Sequence, residues 1–290
     1  MKKFLLIFAL MGLLLLGCQK KEPDESPVIV TSISVYQDLV QNIVGEACQV
    51  KSLVSGMENP HTLDLSGSKA KLIQDADLIV FNGMGLEGWA DQVKSGLKRK
   101  STPLITVADS LAGDSLLIHG DNPHIWMDPR ITKSIVQVIL PELQKVLPDS
   151  AQQFRARAEQ FIGELDILYQ DVGYKLAPLA GEQVIVQTPG LDYFFSAFDI
   201  TPAAHIVDHP GTEPSARAMT KLSDQLDTGE IFAIIRLPQF SDRLPKTLSA
   251  ESGVDIVEMS PLINGTPYVD TYIDLIWYNA DQLSHGELSE

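Results

Sequence analysis

From residue 28 onward, short apolar runs alternate along the chain with longer segments that have helical periodicity. Such runs are typical of buried parallel strands, and the longer segments are typical of the helices that connect them. The pattern predicts eight strands, at residues 28–32, 49–54, 77–81, 104–107, 183–187, 204–207, 231–237 and 255–259. This alternation favours an α/β fold with parallel sheets.

The longest periodic segment lies between the fourth and the fifth predicted strand. Its apolar residues recur at spacings of three and four, namely Phe154, Ala158, Phe161, Leu165, Leu168 and Val172. Residues 149–176 contain no proline, while Pro148 and Pro178 bracket them. The pattern predicts one long, rigid amphipathic helix that joins two similar lobes of four strands each.

The first residues have the pattern of a secretory signal. Lys2 and Lys3 precede an apolar run over residues 4–16, which is too short to span a bilayer comfortably. Residues 15–18 read Leu-Leu-Gly-Cys and resemble a bacterial lipobox, which makes Cys18 the predicted lipidation site; an ordinary signal peptide containing a cysteine is the alternative. These features predict an extracytoplasmic protein, lipid-anchored to the bacterial cell envelope and facing the periplasm where the cell has two membranes.

The sequence therefore predicts five parts. They are a signal peptide at residues 1–17, a flexible tether at 18–27, an N-terminal α/β lobe at 28–147, the connecting helix at 148–178 and a C-terminal α/β lobe at 179–290. The formal net charge of −16 disfavours nucleic acid as a partner and suits a protein that handles cations. Only Cys48 remains in the mature chain after Cys18, which excludes an intramolecular disulfide.

Two histidines stand directly after prolines in predicted loops. His61 follows Asn-Pro, and His124 belongs to residues 122–129, Asn-Pro-His-Ile-Trp-Met-Asp-Pro. A preceding proline restricts the backbone, so the imidazole has less freedom to lose on binding. A single loop histidine is usually solvated or hydrogen-bonded, but a matched pair indicates a metal site. Trp126 is predicted to pack in the core, and Asp128 to cap a helix.

Open α/β sheets bind ligands at the carboxyl ends of their strands. In the first lobe these ends lead to His61 and His124. In the second lobe they lead to Thr188, His209, Arg236 and Ser260. We expect a ligand cleft between the lobes to bring both sets together.

Many short motifs, in the right order, resemble the zinc- and manganese-binding lipoproteins of ABC transporters, the ZnuA/TroA-like family. They lie at residues 30–33, 59–62, 77–83, 85–89, 122–129, 211–215, 238–241, 272–274 and 278–279. The resemblance implies two α/β lobes joined by a rigid helix, with one divalent transition metal held in the cleft and handed to a membrane permease. It also implies that His61 and His124 match the first-lobe metal ligands of the family.

The second lobe departs from the family pattern. Thr188 stands where members of the family place a His or Glu, and Ser260 where many place an Asp. Leu237 replaces a frequent glutamate, with Arg236 beside it. Neutral hydroxyls are poor ligands for zinc or manganese, which prefer imidazole, thiolate or carboxylate.

Three accounts of the cleft follow from these substitutions. In the first, His61 and His124 hold the metal with a substitute such as His209, Asp208, Glu213 or water. In the second, the two histidines form a weak or open site for transfer or sensing. In the third, the cleft binds another solute, and Arg236 contacts an anionic group, although Arg236 can equally be a charge that stabilises its lobe.

The function predicted from the sequence is a monomeric solute-binding protein that captures a divalent metal, zinc rather than manganese, for an ABC permease and catalyses no reaction. One rival is a metal-dependent hydrolase, but the sequence has no His-Glu-x-x-His, no Gly-x-Ser-x-Gly and no glycine-rich phosphate loop. Another is an adhesion or envelope-interaction lipoprotein that keeps this fold without transport.

Overall fold

A computed structural model describes residues 26–97, 102–118, 122–208 and 212–285. The predicted signal peptide, Cys18, most of the tether and His209 lie outside the described residues. Among the residues that are described, no helix is long and apolar enough to cross a membrane.

The first lobe contains a parallel sheet of four strands. Its strands are β1 (Val28–Ile33), β2 (Gln49–Val54), β3 (Leu78–Phe81) and β4 (Leu104–Thr106), in the order β2-β1-β3-β4. Its helices are α1 (Ser34–Val44), α2 (Gly67–Asp75), α3 (Ala90–Gly96), α4 (Val107–Ser110) and α5 (Pro129–Val146). Strands β1 and β3 are buried almost along their whole length, as expected where helices cover both faces of a parallel sheet.

The second lobe repeats this plan. Its strands are β5 (Gln183–Val186), β6 (Thr201–His205), β7 (Ile231–Arg236) and β8 (Ile256–Glu258), all parallel and in the equivalent order β6-β5-β7-β8. Its helices are α7 (Asp192–Ala197), α8 (Ala216–Leu226), α9 (Arg243–Ser252) and α10 (Tyr272–His285). The α/β fold with two similar parallel-sheet lobes is therefore confirmed.

The long connecting helix is also present. Helix α6 (Ala151–Leu176) has 26 residues, and its buried face contains every apolar position that the sequence predicted. It packs against α1 and α5 of the first lobe and against α10 of the second. Because one stiff helix contacts both lobes, it limits how far they can rotate relative to each other.

Two predicted elements are displaced. Strand β6 was predicted at residues 204–207 but covers Thr201–His205, because it is an edge strand that tolerates Pro202 and is only partly buried. The last helix was predicted from residue 268, but it begins at Tyr272. The backbone of Tyr268 has a φ of 66°, which is incompatible with a right-handed helix.

Hydrogen bonds join the lobes beneath the cleft. The indole Nε1 of Trp126 donates to the carbonyl of Pro261 over 2.7 Å, and the hydroxyl of Tyr272 donates to the carbonyl of Trp126 over 2.8 Å. Ser34 Oγ donates to the carbonyl of Ile263 over 2.9 Å. The larger hydrophobic core cluster contains residues of both lobes, and a smaller, separate cluster lies within the second lobe.

Candidate metal centre

The loop after β2 presents His61 from a fixed backbone. The side chain of Asn59 accepts the backbone N–H of His61 over 3.0 Å and caps a short 3₁₀ turn, Pro60–Thr62. The indole of Trp89 donates to the carbonyl of Pro60 over 2.8 Å. Local capping and a buried indole therefore hold the backbone on which His61 sits.

The loop before α5 presents His124 in a similar way. Asn122 Oδ1 accepts the backbone N–H of His124 over 3.0 Å and lies 2.8 Å from its Nδ1. With the proton on Nδ1, the Nε2 atom keeps a lone pair for a metal. Asp128 caps α5 by accepting the N–H of Arg130, and Trp126 is fully buried, as both were predicted to be.

A buried polar network holds the His124 loop against the first sheet. The carboxylate of Glu87 accepts the backbone N–H groups of Asn82 and Gly83 over 2.8 and 2.9 Å. The amide of Asn82 donates to the carbonyl of Pro123 over 2.9 Å and accepts the hydroxyl of Tyr36. Burial raises the pKa of Glu87, and the two N–H donors oppose that shift.

The two histidines lie together. Their ring centroids are 5.6 Å apart, with 58° between the ring planes. His61 Nε2 is buried and has no hydrogen-bond partner. Burial lowers the pKa of His61, and burial together with the nearby His61 lowers the pKa of His124 to about 3. Both rings are therefore neutral at pH 7, which is the form that binds metal.

A cleft of about 520 Å³ between the lobes contains both histidines. On the second-lobe side it is lined by Thr188, Asp192, Asp208, Leu237 and Gln239, among others. Within the described part of the chain, no group of three or more His, Cys, Asp or Glu side chains is placed to hold a metal ion. To complete a coordination shell, the two imidazoles thus need donors from other kinds of side chain, from residues outside the described ranges, or from water.

Of the second-lobe residues that the sequence analysis named as candidates for the site, some line the cleft and others do not. Thr188 and Asp208 line the cleft. The hydroxyl of Ser260 is buried outside the cleft lining, where it donates to the carbonyl of Leu262 over 2.9 Å. Glu213 pairs with Arg243 at an exposed position.

Arg236 also lies away from the cleft lining, and its guanidinium forms an ion pair with Glu258 of the neighbouring strand. A guanidinium whose charge is matched by a carboxylate has little attraction left for an anionic solute. The structure therefore places Arg236 as a charge that joins β7 to β8.

Sequence reasoning missed a hydrogen-bonded chain that crosses the cleft. The amide of Asn122 donates to the carbonyl of Pro189 over 2.9 Å and to Asp192 Oδ2 over 3.2 Å. Asp192 Oδ1 lies 2.9 Å from Nε2 of His205, on strand β6. Asp192 is the first residue of a short helix, a common place for an acid, so its sequence position carries no sign of this contact.

Comparisons with known proteins agree with the two-lobed α/β fold. The family model of the zinc-uptake complex component A, periplasmic (ZnuA), matches residues 29–286. A putative metal-binding protein of Thermotoga maritima is 32% identical over 270 residues, which cover 91% of this chain and 92% of the relative. The manganese-binding lipoprotein MntA of Halalkalibacterium halodurans is 28% identical over 99% of both chains. The periplasmic zinc-binding protein TroA of Treponema pallidum, 23% identical, superposes with a TM-score of 0.80 over 90% of this chain and 99% of its own.

Proposed function

This chain belongs to the ZnuA family, and we propose that it is an extracytoplasmic solute-binding protein that captures one divalent transition metal ion for an ABC permease. The observation that carries the proposal is the pair of neutral imidazoles in the cleft, 5.6 Å apart, one of them with a buried and unpartnered Nε2. A buried nitrogen without a partner costs free energy until a ligand occupies it.

The donor types support zinc over manganese. Imidazole nitrogens suit zinc, and for a given site manganese binds more weakly than zinc among the first-row divalent ions. Thr188 and Ser260 add no carboxylate of the kind that manganese prefers. Relatives named for either metal match this chain, so the discrimination must come from the residues of this cleft.

The proposal also includes the location of the protein at the membrane and a permease as its partner. Lipidation at Cys18 would hold the domain near the membrane, and the family description of a component of an uptake complex supports a permease as the partner. A binding protein of this kind acts by partial closing and opening of its cleft as a monomer, with no chemical step. Because α6 contacts both lobes, we expect that movement to be small.

Metal content tests the proposal directly. The full chain is purified in detergent without chelator, analysed for bound elements, and titrated with zinc and with manganese beside a His61→Ala/His124→Ala variant. We expect about one metal ion per chain, zinc bound more tightly than manganese, and loss of binding in the double variant.

A wild-type protein that takes up neither metal would contradict the function, provided that it is folded. Binding that survives in the double variant would contradict the assignment of the two histidines. Circular dichroism of both proteins provides the necessary check on folding.

A further inference from the structure

The second lobe contributes an unusual acceptor to the cleft. Six buried side-chain atoms among the described residues have no hydrogen-bond partner, and two of them belong to residues that line the cleft. One is His61 Nε2, and the other is the carbonyl oxygen Oε1 of Gln239. A buried carbonyl oxygen without a hydrogen-bond donor is costly in the metal-free protein, and it lies on a residue that lines the same cleft as His61. Gln239 is therefore a candidate to donate an electron pair to a metal ion.

The amide of Gln239 has a defined orientation. Its Nε2 donates to the carbonyl of Gly56 over 2.7 Å and lies 3.4 Å from Ser260 Oγ. A Cβ on Gly265 would lie 2.5 Å from Ser260 Oγ and 2.6 Å from this nitrogen, so the glycine leaves room for both side chains. Because Nε2 is held by the first lobe, Oε1 is the atom left free to bind a ligand.

Gln239 also lies where the usual donors are missing. The hydroxyl of Ser260 is already engaged, since it donates to the carbonyl of Leu262 and accepts the N–H of the same residue. An amide oxygen is a better metal donor than a neutral hydroxyl, because its carbonyl dipole places more negative charge on the oxygen.

We propose that Gln239 Oε1 is the second-lobe ligand of the metal, opposite His61 and His124. The proposal rests on the function proposed above and adds a residue to it. Gln239 belongs to the second lobe but is bonded to Gly56, in the loop that leads to His61. A metal ion bound by Gln239 Oε1 and by the two histidines therefore links the second lobe to the first.

Three single variants test this role in the full chain. Gln239→Met keeps the length of the side chain and removes the oxygen. Gln239→Glu keeps an oxygen at the same position and adds charge, but loses the donor to Gly56. Ser34→Ala is the matched control, since it deletes another hydrogen bond between the lobes, to Ile263, outside the cleft.

Zinc and manganese affinities are measured for the three variants beside the wild type and the two-histidine variant, together with the thermal stability of each metal-free protein. We expect Gln239→Met to weaken zinc binding by about tenfold or more, Gln239→Glu to bind zinc and manganese at least as tightly as the wild type, and Ser34→Ala to stay within about threefold. Gln239→Met and Ser34→Ala should lose similar thermal stability, because each loses one bond between the lobes.

The proposal is overturned if Gln239→Met binds zinc within about threefold of the wild type, or if Gln239→Glu weakens binding as much as Gln239→Met does. Weakened binding in Gln239→Glu would mean that metal affinity depends on the hydrogen bond to Gly56 and not on the side-chain oxygen. Either failure leaves the proposed function intact as long as the wild type binds metal and the two-histidine variant does not.

Discussion

The side chain of Asn122 contacts both a residue of its own loop and a residue of the opposite lobe. Asn122 accepts from His124 with its oxygen and donates to Asp192 with its nitrogen. Only an amide can do both, because a carboxylate at this position would have no proton to offer Asp192. Asn122 therefore orients a proposed metal ligand and joins the lobes at the same time.

Replacing the amide of Asn122 with a carboxylate should create a repulsion with Asp192, which the second substitution Asp192→Asn should relieve. We expect Asn122→Asp to lower the free energy of unfolding by about 1–3 kcal/mol, since two carboxylates then face each other and one donor is lost. Urea denaturation of Asn122→Asp, Asp192→Asn and the double variant measures the coupling. If the double variant is as unstable as the sum of the two single variants, the contact contributes nothing specific.

At the scale of helices and strands, what was predictable depended on how local the signal is. The buried face of α6 repeats every three to four residues, and His61 and His124 each follow a proline. Short windows of sequence were therefore enough to predict the helix and to select the two histidines as candidates. Gln239 and Asn122 lie in the motifs at residues 238–241 and 122–129, but these motifs gave no sign of their contacts with the opposite lobe. Gly56 lies 183 residues from Gln239 and Pro189 lies 67 residues from Asn122, so only the fold brings these pairs together.

Helix α5 illustrates a local signal that also positions the site. It begins at Pro129, five residues after the end of the Asn-Pro-His motif. Its cap Asp128 accepts from the N–H of Arg130 over 2.8 Å and also pairs with the guanidinium of Arg130. The cap therefore fixes where the loop of His124 ends and the helix starts.

Deleting the capping side chain of Asp128 should destabilise the protein more than replacing its carboxylate with an amide. We expect Asp128→Ala to cost about 1–2 kcal/mol of unfolding free energy, while Asp128→Asn, which still accepts from the backbone, should cost clearly less. Chemical denaturation of the two metal-free variants compares them. Equal losses would mean that the ion pair with Arg130, and not the cap, carries the stabilisation.

Across the whole molecule, a partly buried acid lies where the lobes meet. Asp38 of α1 accepts the backbone N–H of Tyr272, the first residue of α10, over 2.9 Å. Burial raises the pKa of Asp38 to about 6; the carboxylate of Asp274 adds to the shift, and the N–H of Tyr272 opposes it. The acid therefore binds a proton more tightly in the folded protein than in the unfolded chain, whose pKa is near 3.8.

The difference between the folded and unfolded pKa of Asp38 determines whether stability rises or falls with pH. Ionisation of Asp38 opposes folding, so its contribution to stability falls as pH rises from about 4 to about 6 and stays low above that. Asp38→Asn keeps an acceptor for Tyr272 without the charge. We expect the two metal-free proteins to be similar near pH 4 and the variant to be more stable at pH 7, on the order of 2 kcal/mol. Titration of His61 and His124 affects both proteins equally. A stability difference between the wild type and Asp38→Asn that does not change with pH would therefore show that Asp38 does not bind a proton more tightly in the folded protein.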